Sequence, residues 1–140
     1  MGCDVHAHFE IKVDGEWLHY SQPNIKRNYR LFARMAGVRG HVGDYVISNP
    51  LGTPYDVSKT TRLEKEWLGD DGHSHSYFNA DEIKELIEFH ESLVEPKERV
   101  FLFIDQWGYL CGNGWEGFKE YPESYPKEIE DIRLVFWFDN

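Results

Sequence analysis

The chain has 140 residues, 41% hydrophobic and 16% aromatic, with a formal net charge of −10. That length and apolar content fit one domain with a real core and exclude intrinsic disorder. The acidic balance argues against docking on a nucleic-acid phosphate backbone, where binding rests on clustered Lys and Arg, and no apolar run approaches the ~20 residues of a membrane-spanning helix.

The chain opens with alternation. Asp4, His6, His8 and Glu10 fall at even positions, and Cys3, Val5, Ala7, Phe9 and Ile11 at odd ones. In a strand from Cys3 to Val13 the two sets point to opposite faces. One face is apolar; the other carries only potential metal ligands and general acids or bases. Asp14-Gly15 is a two-residue hairpin signal, so Glu16 to Ser21 forms the second strand. Counting back from the turn pairs Lys12 with Trp17, Ile11 with Leu18, Glu10 with His19 and His8 with Ser21. Directly opposed residues share a face, which adds His19 and Trp17 to the polar row and Leu18 and Tyr20 to the core.

Pro23 ends that strand. Arg27 to Ala36 reads as a short helix closed by Gly37. Arg27 and Asn28 stand at its N-terminus, where anions are favoured, and Arg27 could clamp a phosphate or carboxylate. Val38 to Leu68 is broken by Gly and Pro, with a helical turn or two expected within Val57 to Trp67. Asp70-Asp71-Gly72-His73-Ser74-His75-Ser76 repeats the His-x-His spacing of His6 and His8. Asn79 and Glu82 form a capping box for a helix with Ile83, Leu86, Ile87, His90 and Val94 on one face, ended by Pro96. Val100 to Asp105 reads as a central strand, Trp107 to Trp115 as a turn or hairpin, Tyr121 to Pro126 as a loop and Ile132 to Phe138 as a last strand. The fold class expected is α+β: one domain, residues 1–140, a mostly antiparallel sheet with an N-terminal hairpin and two helices packed on one face.

In an extended segment, residues two apart lie about 6–7 Å apart on one face, and two imidazoles so placed can close on one metal ion with Zn–N near ~2.0–2.1 Å. Asp4, His6, His8, His73 and His75 are therefore the candidate ligands of a divalent metal, zinc in the first instance. Glu10, Asp70 and Asp71 are candidate general bases, and Arg27, Asn28 and His19 candidate ligand-binding residues. His90 reads as a core histidine, His41 as a loop residue and Cys3 as a small buried hydrophobe; Cys111 has no base near it. Two-histidine phosphoesterases carry paired His-x-Thr/Ser motifs, which His6-Ala7-His8 and His73-Ser74-His75 do not match. Trp107, Tyr109, Trp115, Tyr125 and Trp137 give the C-terminal third an aromatic excess that, with Asn113, could stack on a base or sugar.

Met1-Gly2-Cys3-Asp4-Val5-His6, with Arg27-Asn28-Tyr29 and Asp71-Gly72-His73-Ser74-His75-Ser76, resembles a group of small uncharacterised proteins of phages and bacterial genomes. The shared order of motifs spans about the first two thirds of the chain. The resemblance implies a phage or prophage setting, which favours action on host machinery; it lends no catalytic residues. The expectation is a cytoplasmic metal-binding protein, a metal-dependent hydrolase of a phosphoester or related small ligand. The alternative is a non-enzymatic counter-defence protein that sequesters a nucleotide signal or blocks a host protein. A small molecule or a host protein is the expected partner, with a second copy of the chain as a further candidate.

Overall fold

The computed structural model describes residues 2–23, 25–41, 43–93 and 126–140. The expected strand Val100 to Asp105, the turn Trp107 to Trp115, most of the loop Tyr121 to Pro126, and Val94, Pro96, Cys111 and Asn113 lie outside them.

Among the described residues four strands form one antiparallel sheet: β1 (Asp4–Val13), β2 (Glu16–Ser21), β3 (His73–Phe78) and β4 (Asp131–Asp139), in the order β2-β1-β4-β3. Asp14 and Gly15 take φ of 51° and 75°, the left-handed pair that a type I′ turn requires. The hairpin register follows from that turn: Lys12 faces Trp17, Ile11 faces Leu18 and Glu10 faces His19. It then slips. Ser21 faces Phe9 rather than His8, because β2 carries one extra residue there. Leu18, expected in the core, stays 40% exposed; among the described residues no strand pairs with the outer side of β2.

One face of the sheet is apolar. Ala7 and Phe9 of β1, Ile132, Leu134, Phe136 and Phe138 of β4, and Phe78 of β3 are buried against helices α1 (Tyr29–Ala36) and α3 (Ala80–Leu93). The two helices expected on one face are these. Asn28 caps α1, accepting from the backbone N–H groups of Arg30 and Leu31 at 3.1 and 3.2 Å, and Gly37 closes it at φ 74°. The Asn79–Glu82 box caps α3, with bonds of 3.1 and 2.9 Å. Ile83, Leu86, Ile87 and His90 form its buried face.

A third helix, α2 (Lys59–Leu68), lies on the other side of the sheet beside β2. It is longer than the turn or two expected, and Ser58 caps it by accepting from Thr61 N–H at 3.3 Å. Strand β3 follows a short 3-10 turn, Gly69–Asp71. Sequence periodicity missed β3 as a strand, because six residues read His-Ser-His-Ser-Tyr-Phe carry little β-propensity at their start.

Candidate functional site

The even residues of β1 do form a row, and β4 supplies their neighbours. Asp4 faces Asp139, His6 faces Trp137, His8 faces Val135 and Glu10 faces Arg133. The row grades from an open end to a sealed one.

At the open end Arg27 donates to both carboxylate oxygens of Asp4 at 2.9 Å. Both side chains are about half exposed. The Arg27 hydrogen bond holds the Asp4 carboxyl below its usual range. Arg27 therefore grips a carboxylate of its own chain, while Asn28 is spent on the α1 cap. Next, His6 Nε2 meets Asp139 Oδ2 at 2.6 Å, with His6 32% and Asp139 23% exposed.

Trp137 forms the middle of the site. Its indole is stacked beside His6, His8 and His75, at ring-centroid distances of 6.0, 5.2 and 5.9 Å. His8 is buried, and its Nδ1 lies 3.0 Å from His19 Nε2. Burial and then the neighbouring His19 push the His8 pKa down to about 4. Burial also lowers His19 and His75. His8 Nε2 and Trp137 Nε1 are both buried and have no hydrogen-bond partner among the described residues.

At the sealed end Glu10 is fully buried. Its Oε1 accepts from Arg133 Nε and Nη2 at 2.9 and 2.7 Å, and its Oε2 accepts from Ser58 N–H and the Thr61 hydroxyl at 3.0 and 2.8 Å. Arg133 also donates to Asp56 at 2.8 Å and lies 3.9 Å over the Trp17 ring. A carboxylate with both oxygens occupied is a structural anchor; the role of general base expected for Glu10 does not suit this geometry.

The two His-x-His couples meet only in part. Ser74 takes φ 55°, and β3 carries an extra residue between His73 and Ser76. The bulge breaks period-two alternation. His75 lands beside Trp137 on the polar face, whereas His73 pairs with Phe138 on the helix-covered face and stacks on its ring at 6.2 Å. Asp70 and Asp71 are exposed on the 3-10 turn, and no hydrogen bond ties either carboxylate to the row among the described residues. The expected ligand set Asp4, His6, His8, His73 and His75 does not converge on one point. Asp4 is taken by Arg27, His6 by Asp139, and His73 faces away. Among the described residues no group of three or more His, Cys, Asp or Glu side chains is arranged to hold a metal ion. His8 and His19 bring two imidazole nitrogens to 3.0 Å of each other.

Sequence reasoning missed Asp139 and named Trp137 only within the aromatic excess of the C-terminal third, not as a neighbour of the imidazole row. Their signal was present in the alternation of the last strand, where Asp131, Arg133, Val135, Trp137 and Asp139 share a face, but it needed the β1–β4 pairing to be read.

No helix among the described residues is long and apolar enough to cross a membrane. No family model, curated protein or solved structure matches this chain, so the site is defined by its own geometry.

Proposed function

We propose that the imidazole face is the working surface of a small hydrolase for a phosphoester or a related small ligand, with His6 as general base and Asp139 as the group that orients it. The observation that carries this reading is the 2.6 Å His6–Asp139 contact at the open end of the row. A carboxylate in that position holds the ring proton on Nε2 and leaves the Nδ1 lone pair to take a proton from water. The water oxygen then bonds to phosphorus as the P–O ester bond breaks, and the departing ester oxygen takes the proton that His6 has gained. Arg27 stands one pair further along the row, and its solvent-exposed bond to Asp4 exchanges for a substrate phosphate at little cost, since water screens exposed ion pairs. The test is turnover of a chromogenic phosphodiester and monoester by untagged protein, with chelator and with added zinc. His8 Nδ1 and His19 Nε2 are the pair that would hold the metal in the zinc arm. The expected result is turnover that falls ~10²–10⁴-fold in His6→Gln and Asp139→Asn. Turnover untouched by both substitutions, or absent in every arm, overturns the hydrolase reading.

The second reading is binding without turnover, as in sequestration of a nucleotide signal. It is supported by the buried Trp137 Nε1 and His8 Nε2, which have no hydrogen-bond partner among the described residues, since buried polar groups ordinarily have one. Native mass spectrometry that finds a retained small molecule, together with no turnover, favours it.

A further inference from the structure

On the helical side of the sheet, away from the imidazole face, a cavity of about 370 Å³ lies against α1 and α3. Arg30, Arg34, His41, Asp44, Tyr45 and Phe89 line it. Its size is within the ~300–1,000 Å³ range of small-molecule sites. The Arg34 guanidinium carbon sits 3.9 Å from the centre of the Phe89 ring and 4.7 Å from that of Tyr45. Both rings therefore contact the cation. Tyr45 is itself fixed, because its hydroxyl donates to Glu85 at 2.9 Å. Glu85 is thereby occupied, and the Asp44 carboxylate is turned to its own loop, accepting from His41 N–H at 2.6 Å. Among the described residues neither Arg30 nor Arg34 is in an ion pair.

We infer that this cavity is a binding site for a small organic phosphate. Arg30 and Arg34 are one helical turn apart on α1 and so project to the same side. A guanidinium stacked on aromatic rings can still offer its N–H edge for planar, two-point contact with an oxyanion, at low entropic cost. Arg34 so held, with the Arg30 guanidinium and the His41 imidazole also lining the cavity, suits a dianion, and the aromatic rings cover an apolar or ring-bearing remainder. The site shares no residue with the imidazole face and does not depend on the hydrolase reading.

The test is calorimetric or NMR titration of the full chain with inorganic phosphate and with adenosine monophosphate, malonate serving as the dicarboxylate control. The mononucleotide is expected to bind at least tenfold more tightly than phosphate, and both to weaken as salt rises. Arg34→Lys keeps the charge but loses the fork, and is expected to weaken binding tenfold or more. Arg30→Gln, at an exposed position, is expected to weaken it several-fold. If Arg34→Lys fails to fold, Arg30→Gln and Tyr45→Ala carry the test. Absence of saturable binding of either phosphate at millimolar concentration, malonate binding as tightly as phosphate, or affinities unmoved by Arg30→Gln and Tyr45→Ala would each overturn the assignment.

Discussion

Replacing Arg133 by Met is expected to be among the most damaging single changes in the molecule. Arg133 is 6% exposed and Glu10 fully buried, so the substitution strands a carboxylate inside the protein. Glu10 would lose two of its four donors, those at 2.9 and 2.7 Å, and keep only Ser58 N–H and the Thr61 hydroxyl. Removing one partner of a buried pair typically costs about 3–5 kcal/mol. The Asp56 bond and the stacking on Trp17 go as well, but Asp56 is 38% exposed and regains water, so that part is small. The assay is urea denaturation at pH 7, comparing Arg133→Met, Glu10→Gln and the double variant as a cycle. The double variant should recover part of the loss, because no buried charge remains. It should not recover all of it: the new carboxamide oxygen can accept from Ser58 N–H and the Thr61 hydroxyl, but its NH2 group then faces the methionine side chain without an acceptor, and a buried unsatisfied donor costs about 1–3 kcal/mol. A loss under about 1 kcal/mol for Arg133→Met would refute the reasoning, as would a double variant no better than the worse single one.

Acid should destabilise the fold through the imidazole row before the carboxylates matter. The His8 pKa lies near 4 in the folded chain against an ordinary 6.5. As pH falls through 6.5 the unfolded chain takes up the proton first, so stability falls between about pH 6.5 and 4, by roughly 2–3 kcal/mol for this group. His19 and His75 are lowered too and add in the same direction. Urea midpoints followed from pH 7 to 4.5 should show this slope, and His8→Gln should flatten it; an equal slope in the variant would count against the burial argument. Asn28→Ala should cost about 1 kcal/mol through loss of the α1 cap, read as a lowered thermal midpoint, with Asn28→Asp close to the parent.

What could be read from the chain was local or periodic. The Asp14-Gly15 turn fixed the hairpin as far as Glu10 and His19. Gly37 and the Asn79–Glu82 box marked helix ends by the chemistry of their caps. The row from Asp4 to Glu10 followed from alternation alone. What could not be read was long-range or irregular. Nothing near Glu10 announces Arg133, 123 residues away, or the Ser58–Thr61 cap that completes its bonds. The bulge at Ser74 places a non-glycine residue at positive φ, a conformation without a sequence signal, and it alone divides His73 from His75. The expectation of one metal centre assumed an even pleat through both couples, and the extra residue in β3 removed that premise.

The Glu10–Arg133 pair also acts as an alignment pin. The two residues stand directly opposite each other across β1 and β4. The smallest slide of these strands that keeps every side chain on its own face is two residues. It would set Glu10 against either Asp131, a second negative charge, or Val135, a hydrocarbon. Both alternatives isolate the carboxylate, so only one phase of the two strands is comfortable. That same phase brings His6 level with Trp137 four residues further along, so the dry end of the row keeps the wet end in step.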